Sequence, residues 1–310
     1  MKNSLLTGVL IFCLFGLSPA AFSAQHAVPQ VVVSIKPIHA LVAGVMQGVG
    51  EPQLLLKGGG SPHGYVLRPS EALALSRADL IIWVGHQLET FLEKPLKTLG
   101  QNARQLELGE VLHSQLLPLR ELGNWEKHAH DEAAEHAEDV EMNPHLWLNP
   151  LLAKQVVAQT AATLAEIDPF HQQQYRKNAE QLQTRLDDLH HHLEEKLAPV
   201  KTIPYVVFHD AYQYFESVYG LNAVGSITVD PERQAGARRI LEMREKIQRL
   251  NARCVFSEPQ FEPRLLATLI EGTGARTGIL DPLGSELPAG PESYFLLLNQ
   301  LADDLLRGLQ

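Results

Sequence analysis

One apolar stripe constrains this chain more than any other feature. From Tyr175, apolar residues recur at Ala179, Leu182, Leu186, Leu189, Leu193 and Leu197. Spacings of three and four put all of them on one face of a single helix. Pro169 lies near its start and Pro199 stops it. At 1.5 Å per residue, roughly 28 residues span about 40 Å, long enough to run the height of two small domains. Such a helix ties its neighbours together and permits only limited opening, unlike a flexible linker.

On both sides of the stripe, short apolar runs alternate with amphipathic stretches. Before it, Gln30 to Ile35, Gln53 to Leu56 and Asp79 to Val84 read as strands. Ile38 to Gln47, Ser70 to Arg77 and Glu89 to Leu99 read as helices. After it, the strands are Pro204 to Phe208, Ala223 to Val229, Arg253 to Ser257 and Thr277 to Leu280. The helices are Ala211 to Tyr219, Ala237 to Leu250, Arg264 to Glu271 and Tyr294 to Leu306. Strands of four to seven residues alternating with helices mean βαβ units and parallel sheet. The expected architecture is α/β: two βα-repeat domains with parallel sheets, residues 25–168 and 200–310, joined by one long helix at 169–199. A length of 310 residues suits two domains of ordinary size.

Residues 1–24 stand apart from this pattern. Lys2 begins them, Leu5 to Leu17 is a nearly unbroken apolar run, and small residues follow up to Ala24. This is the build of a cleaved export signal, too short to span a membrane. Its removal takes away one base and no acid, changing the formal charge from −10 to −11. That excess of negative charge argues against nucleic acid or anionic lipid as a partner and favours cations. Cys13 leaves with the signal, so Cys254 stays alone and no intramolecular disulfide can form. Residues 124–141 hold His128, His130 and His136 among acids, without periodicity, and read as a polar loop.

Open α/β sheets carry their ligands at the carboxyl ends of the strands. Four groups sit where that rule applies. His63 follows three glycines in the loop after the second strand, and His209 directly follows Tyr205 to Phe208. His145 lies between two prolines in Asn143-Pro-His-Leu-Trp-Leu-Asn-Pro150, and Asp281 ends the last strand. Two come from each half, as a cleft between domains requires. Three imidazoles with a carboxylate or water in the fourth position make a tetrahedral zinc shell, whereas manganese prefers more oxygen. The run His190-His-His192 cannot converge on one ion, because consecutive helix positions point about 100° apart. His39, His86 and Glu258 are candidates for supporting roles near the cleft.

The stretches Gly60 to Ser70, Ala78 to Gly85, Asn143 to Leu148, Phe208 to Tyr212, Phe256 to Gln260 and Leu280 to Gly284 resemble, in order, blocks of the solute-binding proteins of zinc and manganese ABC importers. The resemblance covers essentially the whole chain after the signal. It implies two α/β domains joined by a long helix, metal in the interdomain cleft, and ligands at His63, His145 and His209 with Asp281 or water fourth. Manganese members commonly carry Glu where this chain has His209, so zinc (Zn2+) is the expected cargo. The resemblance further implies periplasmic location, delivery to the membrane permease of a zinc ABC importer, no membrane insertion and a monomeric chain. Many relatives pair the cysteine at position 254 with one near the carboxyl end, which is absent here. The alternatives are a manganese-specific importer component and, in a different class, a secreted zinc hydrolase. No His-Glu-x-x-His pair or Gly-x-Ser-x-Gly elbow supports the hydrolase.

Overall fold

Three consecutive valines, Val31 to Val33, are buried on both faces, the environment of a central strand in a parallel sheet. The structure is a computed structural model and describes residues 27–120, 141–228, 231, 236–259 and 264–310. The expected export signal and the histidines of the acidic stretch lie outside these residues.

The first half runs β1 (Val31–Val33), α1 (Lys36–Val45), β2 (Gln53–Leu54), α2 (Pro69–Arg77), β3 (Leu80–Trp83), α3 (Glu93–Thr98), β4 (Arg104–Glu107) and α4 (Leu108–Val111). Two long helices follow, α5 (Pro150–Ile167) and α6 (Gln172–Leu197). The second half runs β5 (Tyr205–Val207), α7 (Gln213–Tyr219), β6 (Ala223–Ser226), α8 (Ala237–Arg249), β7 (Cys254–Ser257), α9 (Arg264–Ile270), β8 (Arg276–Ile279) and α10 (Ser293–Leu309). Both sheets are parallel throughout, in the order β2-β1-β3-β4 and β6-β5-β7-β8. In each, the chain leaves its first strand to one side and returns on the other. A crevice therefore opens at the carboxyl ends of β1 and β3, and again at those of β5 and β7.

Every apolar residue of the predicted stripe, from Tyr175 to Leu197, is buried. They join one core that also takes in Val33 and Leu80 of the first sheet, Tyr205 and Val207 of the second, and Leu298 and Leu301 of α10. The two halves thus share a hydrophobic interior. Gly44 lets α1 cross α6 closely, since a Cβ there would lie 2.9 Å from Leu182 Cδ2. Smaller clusters cover the outer faces, around Leu75, Ile81 and Leu96 in one half and Val206, Met243 and Leu269 in the other. Each sheet is therefore packed on both sides.

The structure adds β4 and α4 to the elements read from the sequence. β4 has a single buried apolar residue, Leu106, because it is an edge strand. Helix α5 is capped by Asn149, whose Oδ1 accepts from Leu151 N at 2.8 Å, and it packs along α6. Cys254 is fully buried, and burial pushes its thiol up to about 12, leaving it unreactive. Gly308 faces it. A Cβ at Gly308 would stand 3.0 Å from Cys254 Sγ and 2.6 Å from Phe256 Cζ. The Phe256 ring therefore packs against Gly308 beside the lone thiol.

Candidate metal centre

Each imidazole reaches the cleft by a local device. β5 ends at Val207, and Phe208 and His209 follow immediately, which sets the His209 ring at the carboxyl edge of its sheet. His63 sits in the loop between β2 and α2, where Gly58 adopts a φ of 91°. That loop reaches the other half: a Cβ on Gly59 would touch Ser285 Cβ at 3.6 Å. His145 closes the Asn143-Pro144 turn before one turn of 3-10 helix at Leu146–Leu148. The ring centroids of the three imidazoles are 5.1–5.7 Å apart. Their ligand nitrogens all lie within 4.8 Å of one another, the only such group of three among the described residues.

The hydrogen bonds around two of these rings settle their tautomers. His209 Nδ1 donates to Glu258 Oε1 at 2.6 Å, and both residues are buried. His145 Nδ1 donates to Asn143 Oδ1 at 2.8 Å. That oxygen is fixed as the acceptor because Asn143 Nδ2 donates elsewhere, to Asp210 O at 3.1 Å and Gln213 Oε1 at 2.9 Å. With both Nδ1 atoms donating outward, the two rings turn their Nε2 atoms inward. These nitrogens are 3.2 Å apart. At that distance the two nitrogens can share a proton or ligate one metal ion. Around tetrahedral zinc, with Zn–N near 2.0–2.1 Å, neighbouring nitrogens are about 3.3 Å apart. Burial, reinforced by the neighbouring His209 and His63, holds the pKa of His145 well below the usual imidazole range, so its ring is kept neutral and ready to ligate.

Asp281 is not brought into this group. Its Oδ1 accepts from Leu283 N at 3.0 Å, and its Oδ2 accepts from both Ser285 N and Ser285 Oγ at 2.6 Å. The carboxylate organises its own turn, while the next residues, Pro282 and Leu283, line the space beside the imidazoles. Trp147 Nε1 donates to Pro282 O at 2.7 Å, and Lys36 Nζ donates to the carbonyls of Gly284, Ser285 and Leu287 at 2.7–2.8 Å. The first half thereby holds the turn against the site. The space directly beside the imidazoles is about 10 Å³, room for one ion or one water.

Among the described residues, the other histidines stay outside this group. His39 is buried on α1, with its Nε2 2.9 Å from Pro52 O. His190 Nδ1 lies 3.3 Å from Tyr219 OH. His86 stands 3.6 Å from Glu107 and lines a wider cleft with His63 and His145. Asn143, Trp147 and Lys36 are functional residues that sequence reasoning missed. For Asn143, the signal was its place two residues before a histidine in a proline-stiffened turn.

The fold and this centre define a two-lobed solute-binding protein whose site is a buried cluster of imidazoles. Comparison with known proteins narrows the class. The chain belongs to the ZnuA family, described as zinc-uptake complex component A, periplasmic, which matches residues 31–308. It is 47% identical over 300 residues to the high-affinity zinc uptake system protein ZnuA of Brucella abortus (strain 2308), covering 89% of this chain and 90% of that protein. It is 35% identical to the protein of the same name from Yersinia pestis, covering 100% and 98%. Its fold is similar to that of the periplasmic zinc binding protein TroA from Treponema pallidum. The TM-score is 0.77 at 23% identity, covering 91% of this chain and 99% of the other.

The Glu258–His209 bond gives a direct prediction. Glu258→Gln removes the negative charge that fixes the His209 tautomer and raises its basicity, so zinc affinity should fall about 10–100-fold. Competition against a chelator of known affinity would measure it. An unchanged affinity would reduce Glu258 to a packing residue.

Proposed function

We propose that this protein captures one zinc ion through His63, His145 and His209 and delivers it to the permease of an ABC importer. The observation that carries the ligand assignment is the pair of inward-facing Nε2 atoms 3.2 Å apart, with His63 beside them. Water takes the fourth position, because both oxygens of Asp281 are engaged by its own turn. Residues 1–24 are a cleaved signal, the mature chain works in the periplasm as a monomer, and 25–168 and 200–310 are its two lobes with 169–199 between them. Among the described residues no helix is long and apolar enough to cross a membrane.

The protein is a transport component, not an enzyme. The residue best placed to act as a general base, Glu258, is committed to His209 Nδ1. Three nitrogen donors favour zinc over manganese, which takes more oxygen. Calorimetric titration of metal-free mature protein with each ion tests the reading. One tight zinc site per chain and much weaker manganese binding is the expected result. Equal or tighter manganese binding would overturn the zinc assignment.

A further inference from the structure

Arg120 belongs to the first half, yet its guanidinium lies in the second. Its Nε donates to Asp210 Oδ1 at 3.1 Å and Oδ2 at 2.9 Å, its Nη2 reaches the same carboxylate, and its Nη1 is 2.8 Å from Glu216 Oε2. The Arg120 side chain is 20% exposed, and those of Asp210 and Glu216 are 7% and 5% exposed. This is a nearly buried ionic lock across the cleft.

Its position matters more than its strength. Asp210 directly follows the proposed ligand His209 and is gripped at both ends from the first half. Arg120 holds its carboxylate, and Asn143 Nδ2 holds its carbonyl. Asn143 is also the residue that orients His145. The segment bearing Arg120 is itself fastened down. Leu119 N donates to Glu141 O and Asn143 N to Leu117 O, both at 2.8 Å. Leu117 N also donates to Tyr214 OH of α7 at 3.0 Å. A rigid tie thus runs from Arg120 to the two residues flanking the paired nitrogens.

We infer that Arg120 is a positioning residue: by locking Asp210 across the cleft it holds His209 in its metal-binding pose and slows release of the ion. Buried ion pairs contribute little net stability and are better suited to fixing one geometry. Arginine suits this role because its planar fork engages a carboxylate through two nitrogens, which lysine cannot do. Release to the permease then requires the lock to open, which couples separation of the lobes to loss of one ligand. The inference rests on the zinc site proposed above.

Two variants test it. Arg120→Lys keeps the charge and loses the fork. The triple variant Arg120→Met/Asp210→Asn/Glu216→Gln removes all three charges together, so no unpaired charge is left buried and the fold is preserved. Each would be loaded with zinc and followed for release into excess chelator, and loaded with cobalt(II) for its visible absorption spectrum. The triple variant is expected to bind one zinc per chain, release it at least tenfold faster and show altered cobalt bands, with Arg120→Lys intermediate. A wild-type release rate and an unchanged cobalt spectrum in the triple variant would make Arg120 a structural tie and overturn the inference. Failure of the wild-type protein to bind zinc would instead sink the underlying site assignment.

Discussion

Replacing His145 with alanine is expected to weaken zinc binding at least 10³-fold, about 4 kcal/mol. The ring supplies one of three nitrogen ligands, and its Nδ1–H is already held by Asn143 Oδ1 at 2.8 Å, so the wild-type site meets the ion without reorganising this ligand. The variant leaves two imidazoles, and no other group lies close enough to complete a cluster among the described residues. Fold stability should change much less. A buried neutral imidazole packed 5.2 Å from the Trp147 ring gives way to a small cavity, without breaking a charge pair. Calorimetric titration together with thermal melting of the metal-free protein separates the two effects. His190→Ala, on α6 beside Tyr219 and away from the three imidazoles, is the control and should bind as wild type. Tight zinc binding by His145→Ala would show that the centre has been misassigned.

Acidification from pH 7.5 to 5 is expected to weaken zinc binding at least tenfold. A metal ion must displace a proton from every ligand that carries one. A free imidazole titrates near pH 6.5, and a ligand with that pKa costs about 30-fold in affinity at pH 5. His145 adds less to this loss than a free ring would, because burial holds its pKa well below the usual imidazole range. The slope of log affinity against pH should therefore fall short of three protons per zinc. The same depression acts on the metal-free fold. Below about pH 6.5 the unfolded chain protonates this histidine while the native state does not, so its contribution to stability is present above that pH and is lost as pH falls. Competition titrations at several pH values would check the slope. A flat profile would exclude a histidine centre, and a slope of three would show that His145 titrates like an exposed ring.

Legibility in the sequence followed the range of the interactions involved. The α6 stripe could be read because a helix repeats every few residues, and β1 and β5 because a doubly buried strand is a short run of β-branched and aromatic residues. β4 could not, since Arg104-Gln-Leu-Glu107 has one apolar residue and is a strand only because it pairs along β3. The histidines that converge became candidates from their places at strand ends and in stiffened loops, and the resemblance to the importer proteins singled them out. The sequence reading left Asp281 or water as the fourth ligand and did not foresee the turn that Asp281 organises, although a signal was present. An aspartate before Pro-Leu-Gly-Ser has the makings of a turn that consumes its own carboxylate, as the bonds to Leu283 and Ser285 show.

The amino-acid order by itself determined the α/β class, the long buried helix and which histidines stood where a ligand could stand, because these depend on periodicity and on neighbours a few residues away. Tertiary structure alone decided what those groups do. Glu258 reaches His209 across 49 residues, Arg120 reaches Asp210 across 90, and Lys36 reaches Gly284 across 248. Each of these contacts exists only once a shared core has folded the two sheets against one helix, and no local pattern encodes a distance set by packing.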